Sequence, residues 1–92
     1  MVPHPGTILY SDFLKPQKIS PYRLAQEIEV SKPRICDIIR GKRAISPNTA
    51  IRLSRYFGNE PEFWLNLQQR FDLEIELQKF PTRNSRYRPS QL

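Results

Sequence analysis

Between Lys32 and Arg43 the chain places five Lys and Arg residues against a single acid, Asp37. Side chains of this kind do no covalent chemistry by themselves; they neutralise phosphates and donate hydrogen bonds to base edges. On a helix beginning near Lys32, Lys32, Pro33, Arg34, Asp37 and Arg40 lie on or beside the face opposite Ile35 and Ile38. Lys32, Pro33 and Asp37 are the candidate base contacts. Pro33 has no N–H to give, so it reads a thymine methyl by apolar contact. Asp37 repels phosphate; it either accepts from a cytosine amino group or orients a neighbouring Arg, and the plain alternative is a surface charge pair with Arg34 or Arg40. Arg34, Arg40, Lys42 and Arg43 are candidate phosphate contacts, with Lys42 and Arg43 in a loop after the helix. Ser20, Tyr22 and Ser31 join them. The two serines are helix caps first, but a helix amino terminus also offers free N–H groups to a phosphate.

Other chemistries find no residues to carry them. His4 is the sole histidine and sits near the chain end, where a frayed terminus makes a general base or metal ligand a poor reading. Cys36 is the sole cysteine, so neither an internal disulfide nor a zinc site can be assembled from it. No Ser-His-acid or Cys-His arrangement can be built, and Trp64, at helical spacing, belongs to a core or a dimer contact. An enzyme is rejected and no cofactor is expected. No basic start followed by an apolar run opens the sequence, and nothing approaches 18 consecutive apolar residues, so the expectation is a cytoplasmic protein away from membranes.

Five helices are needed to position these residues, and their start and stop signals can be read. Ile8, Leu9, Phe13 and Leu14 share a face after Pro5-Gly6, with Pro16 predicted to stop the first helix. Ser20-Pro21 opens a second helix with the stripe Leu24, Ala25 and Ile28. After a short turn at Glu29-Val30, Ser31 caps a third, which buries Ile35, Ile38 and Ile39 and ends at Gly41. Ser46-Pro47 opens a fourth that runs with Ala50, Ile51, Leu53 and Phe57 to Gly58. A fifth, from about residue 60 to 79, puts Phe63, Trp64, Leu67, Phe71 and Ile75 on one arc. Leu73, Leu77 and Phe80 fall on another side. Either this second stripe is the contact with a second subunit, or Leu73 and Leu77 line a larger intramolecular core.

The segment from Leu24 to Ile38 is the most specific. A small residue at Ala25 lets the second and third helices approach, Ile28 and Val30 fill the elbow, and Ile35 packs back beneath. Two helices at a large angle across a short turn make a helix-turn-helix unit, at about residues 21–40. The sequence from Ser20 to Ile45 resembles the lambda-repressor-like (XRE) helix-turn-helix proteins, and within them the HigA-type antitoxins, or virulence-associated protein I family. The flanks share that likeness: His4-Pro5-Gly6 with Leu9, Phe13-Leu14 and Pro16; Arg34-Ile35, Gly41-Lys42-Arg43 and Ile45; Thr49-Ala50, Arg52-Leu53, Phe57-Gly58 and Phe63-Trp64-Leu65-Asn66-Leu67-Gln68. The match covers residues 4 to about 74. It departs at Glu29, where the wider superfamily usually has Gly so that the turn can take positive φ. The resemblance implies an all-α, five-helix fold and a homodimeric repressor of its own operon that binds double-stranded operator DNA. It also implies a co-encoded toxin, an mRNA-cleaving ribonuclease of the HigB type, as a partner.

Length and charge fit that outline. Ninety-two residues make one domain, expected over residues 1–80, and a net charge of +6 favours polyanions. Residues 1–58 hold ten basic side chains against four acidic, residues 59–79 two against five, and residues 80–92 three against none. The last stretch, 81–92, lacks helical period and is predicted to be a disordered basic tail. Two readings of different class remain from the residues alone: a DNA-binding autorepressor and antidote, or a protein-interaction adaptor on the same scaffold. A free-standing transcriptional repressor shares the DNA chemistry of the first.

Overall fold

Ser-Pro pairs and a Ser-Lys-Pro triplet start three of the helices, and each serine does the same job. The Oγ atoms of Ser20, Ser31 and Ser46 accept the backbone N–H of Arg23 (3.0 Å), Arg34 (3.2 Å) and Thr49 (3.4 Å). Such a cap stabilises a helix by about 1 kcal/mol, and the proline in the first turn gives up an N–H that would be unpaired anyway. In the computed structural model, which describes residues 2–80, these caps open α2 (Pro21–Glu27), α3 (Lys32–Ile39) and α4 (Pro47–Phe57). A helical segment α1 over residues 5–17 precedes them and α5 (Pro61–Lys79) follows. All regular structure among the described residues is helical. The predicted basic tail, 81–92, lies outside the described residues.

The first helix differs from expectation at both ends. It does not stop at Pro16 but runs to Gln17, because its middle, Leu9–Leu14, is a π-helix between two α-helical turns. A wider π turn gives the proline ring room that an α turn, with its carbonyl four residues back, would deny. The same widening brings Leu9 and Leu14, five residues apart, to one fully buried face. Lys18 then breaks the helix in the left-handed region at φ 57. At the start, His4 is not frayed: its Nδ1 accepts the Gly6 N–H at 2.9 Å, and its ring meets Phe71 edge-on at 4.8 Å. Gly6 is obligatory for close approach, since a Cβ there would stand 1.8 Å from the Ile38 carbonyl oxygen.

Leu9, Leu14, Leu24, Ile35, Ile38, Leu53 and Trp64 form the solvent-free centre. Phe13 packs on Phe57 and Trp64 at centroid distances of 5.0 and 4.8 Å, and the Trp64 indole N–H donates to Asn59 Oδ1 at 3.0 Å. Ile39, predicted to be buried with Ile35 and Ile38, lies at the margin of this core. Among the described residues Thr49, Ser54 and Gln68 are the buried polar ones, and Gln68 makes the longest-range link. Its Oε1 accepts the Ile45 N–H at 2.9 Å and its amide donates to Asp72 at 3.0 Å, which ties the loop between α3 and α4 to α5.

The far end of α5 leaves the core behind. Leu73, Leu77 and Phe80 are 57%, 58% and 65% exposed, so they do not line a larger intramolecular core. Length is the reason: the 19 residues of α5 span roughly 28 Å, whereas the 11 residues of α4 beside it span roughly 16 Å.

Candidate nucleic-acid interface

The elbow between α2 and α3 is built from backbone first. After Glu27 the chain turns at Ile28, takes a positive φ of 61° at Glu29, and returns to extended backbone at the Ser31 cap. Val30 N–H closes the turn on the Ala25 carbonyl at 3.0 Å, while Ala25 and Ile28 are buried as the spacing requires. The left-handed turn therefore forms with Glu in place of the superfamily's usual Gly. A non-glycine residue in that region costs about 1–2 kcal/mol, so other contacts must hold it.

Those contacts come from α4. One Arg52 nitrogen, Nη1, donates to the Ile28 carbonyl at 2.8 Å and lies 3.5 Å from the Glu29 carbonyl, while Nε donates to Asn48 Oδ1 at 3.0 Å. The same Asn48 oxygen accepts from Arg34 Nη1 at 3.2 Å, and Thr49 Oγ1 stands 3.5 Å from that nitrogen. On the other flank of α2, Glu27 receives hydrogen bonds from Arg23 Nε at 3.0 Å and from the Tyr56 hydroxyl. The Tyr56 hydrogen bond, and then that from Arg23, hold the Glu27 carboxyl below its usual range; the same bond to Glu27 pushes the Tyr56 phenol up.

Around this scaffold the candidate contacts fall into two groups. At the paired amino ends of α2 and α3, Ser20, Tyr22, Ser31, Lys32 and Pro33 are all exposed, and the Lys32 ammonium sits 4.1 Å from the Tyr22 ring centroid. That cation–π contact holds Lys32 at the lip of α3 instead of leaving it free. On the second side, Arg34 and Arg43 line a surface depression with Ser46, Asn48 and Thr49 at the start of α4. Arg40 caps the end of α3 and Gly41 follows at φ 78, after which Lys42 and Arg43 project from an exposed loop. Asp37 is half-buried and its carbonyl accepts the Lys42 N–H at 2.8 Å. Among the described residues its carboxylate pairs with neither Arg34 nor Arg40, so the surface charge pair does not form.

Sequence reasoning missed Asn48 altogether, and it quoted Arg52, Gln68 and His4 only as part of the resemblance, without the bracing, linking and capping roles seen here. For the first of these a local signal existed: Asn48 and Arg52 stand four residues apart on one helix face. Among the described residues no cluster of His, Cys, Asp and Glu could hold a metal ion, and no helix is long and apolar enough to cross a membrane.

An outward-facing helix with a cationic rim, held across a tight elbow by a second helix, defines a helix-turn-helix protein of the major-groove-reading type. A helix-turn-helix family model matches residues 12–65, and the chain belongs to that family. Virulence-associated protein I of Dichelobacter nodosus is 46% identical over 72 residues, covering 78% of this chain and 67% of the relative. The fold matches a Pseudomonas aeruginosa protein solved in complex with its 18 bp operator DNA, at TM-score 0.85 and 42% identity over 88% of this chain and 87% of the other. It also matches the Pseudomonas aeruginosa antitoxin HigA solved with the higBA promoter, at TM-score 0.81 and 45% identity, covering 83% of each chain. Within the helix-turn-helix family, the chain is a member of the HigA antitoxin and virulence-associated protein I group.

Proposed function

We propose that this protein is the antitoxin and transcriptional autorepressor of a type II toxin-antitoxin operon. It binds operator DNA as a dimer and neutralises a co-encoded HigB-type mRNA-cleaving toxin. The observation that carries the DNA-binding part is the exposed amino end of α3, with Lys32 braced on Tyr22 and Arg40, Lys42 and Arg43 beyond it. In this reading Lys32, Pro33 and Asp37 face base edges, while Ser20, Tyr22, Ser31, Arg34, Arg40, Lys42 and Arg43 hold phosphates. Leu73, Leu77 and Phe80, apolar and exposed at the end of α5, form the contact between subunits. The relatives solved with operator or promoter DNA support the first role, and the naming of one of them as a HigA antitoxin supports the second.

The test is titration of the purified protein onto its own promoter DNA at several salt concentrations. Binding should use two half-sites about one helical turn, roughly 34 Å, apart. The slope of log K against log salt should be steeper than about −4, as expected for several phosphate contacts per subunit. A flat salt dependence, or binding only to single strands, turns the reading toward a protein-interaction adaptor. Co-expression with the neighbouring open reading frame tests the antidote role: growth arrest by that frame alone and growth with both supports it. A harmless neighbour leaves a free-standing repressor.

A further inference from the structure

We propose that Asn48 and Arg52 on α4 are positioning residues for sequence reading: through one shared oxygen they lock the elbow of the helix-turn-helix to the first turn of α3. The inference rests on α3 being the base-reading helix. Asn48 Oδ1 accepts from two guanidinium groups at once, Arg34 Nη1 at 3.2 Å and Arg52 Nε at 3.0 Å. Arg34 stands in the first turn of α3, directly after Lys32 and Pro33. Arg52, from its other edge, reaches the Ile28 carbonyl at 2.8 Å.

Three pieces of the motif thus meet on α4. The carbonyls at the end of α2 have no helical partner and carry the negative end of its dipole, so a guanidinium there is well placed. The positive φ of Glu29 is unfavourable for a non-glycine residue, and the Arg52 contact to Ile28, one residue earlier, opposes relaxation of that strained turn. Without the Asn48 oxygen, the Arg34 and Arg52 cations would lose their shared acceptor, leaving Arg34 only the long 3.5 Å contact to Thr49 Oγ1, and the first turn of α3 would loosen from α4. A swing of the first turn moves Lys32 and Pro33 against base edges, with Ser31 and Arg34 beside them, while leaving the phosphate contacts of Ser20, Tyr22, Arg40, Lys42 and Arg43 largely in place. The brace therefore acts on discrimination more than on affinity.

A lysine cannot replace Arg52. It offers a point charge that reaches the Ile28 carbonyl or the Asn48 oxygen but not both in the fixed geometry of a guanidinium. An aspartate can replace Asn48, because its carboxylate accepts from both arginines and suits the start of a helix.

The experiment compares the full-length parent with Asn48→Ala, Asn48→Asp, Arg52→Leu and Arg52→Lys, each titrated against operator and scrambled duplex. Amide hydrogen exchange at Glu29, Val30 and Leu53 is followed in parallel without DNA. Asn48→Ala and Arg52→Leu each remove two charge-assisted hydrogen bonds that water partly replaces, and each should cut the operator-to-scrambled affinity ratio by about tenfold. Arg52→Lys should fall between these and the parent. Asn48→Asp should keep the parent's ratio while lowering affinity for both duplexes, since the added charge repels all phosphates alike. Exchange should quicken at Glu29 and Val30 in Arg52→Leu and stay at the parent's rate at Leu53.

An unchanged ratio in both Asn48→Ala and Arg52→Leu would overturn the proposal, as would loss of discrimination by Asn48→Asp equal to that by Asn48→Ala. If the parent itself shows no preference for operator, the reading of α3 fails, and the brace then stands or falls on exchange at Glu29 and Val30. Should Arg52→Leu unfold, the two Asn48 variants decide.

Discussion

The third and fifth helices both turn a face away from the core, and the two faces differ in kind. That of α3 is polar and cationic at its ends: Lys32 rests on Tyr22, Arg34 is bonded into α4, and Arg40, Lys42 and Arg43 close the far side. That of α5 is apolar, with Leu73, Leu77 and Phe80 more than half exposed. A solvated cationic face keeps its water until a polyanion replaces it, whereas an apolar face in water is unfavourable until another surface covers it. The first face suits DNA and the second a protein partner. Their supports differ as well. The Ser31 cap, the close approach of Gly6 to Ile38 and the Asn48–Arg52 brace hold α3 from three sides, while the last turns of α5 extend past the helices that could flank them.

The largest effect should come from the α5 face. Changing Leu73 and Leu77 together to Lys should yield monomers in sedimentation, with helical content retained, and operator affinity should fall by about a hundredfold or more as the two half-sites are no longer bound together. A double variant that stays dimeric places the subunit contact elsewhere and erases the contrast. Next in size is Gly6→Ala, which acts on the α3 side alone. Its Cβ must displace the Ile38 carbonyl, so chemical denaturation should show a loss of roughly 2–4 kcal/mol, in the range of severe core overpacking. Dimerisation of the folded fraction should survive.

Smaller changes sharpen the division within the α3 surface. Lys32→Ala should cost about 1–3 kcal/mol on operator and little on scrambled duplex, because a base contact carries the sequence information. Lys42→Ala should weaken both duplexes alike and reduce the salt slope by about 1. If Lys42→Ala abolishes discrimination while Lys32→Ala lowers affinity everywhere, α3 does not lie in the groove as placed here.

The smallest effect belongs to His4. Burial lowers the pKa of its imidazole from the ordinary value near 6.5, against a weaker upward pull from Asp72. Its neutral Nδ1 is the acceptor for Gly6 N–H, so protonation there removes the cap. A lowered folded pKa means that the unfolded chain takes up the proton first on acidification. The stabilisation is therefore complete above about pH 6.5 and is lost as pH falls from there through the folded value. Denaturation midpoints between pH 7.5 and 5 should show a small acid-side decline that His4→Asn, which caps without titrating in this range, removes. An equal decline in both proteins would assign it to other groups.

How much of this could be read beforehand depends on the range of the interactions involved. Starts at Ser20, Ser31 and Ser46, the left-handed stops at Gly41 and Gly58, the buried stripe of α3 and the exposed stripe of α5 are all written within a few residues of where they act. Capping, backbone permissiveness and helical period are local, so spacing alone declares them. Pro16 shows the limit of local rules: a proline that should end a helix is accommodated by a π turn chosen to bury Leu9 and Leu14 together. The Arg52 contact to the elbow at Ile28, the Gln68 link to Ile45 and the Arg34–Asn48 bond join residues from 14 to 24 positions apart. Only the tertiary structure decided these. A buried amide or a guanidinium satisfies whichever partner the packing brings within about 3 Å, and that partner is set by how helices cross and not by any period along the chain.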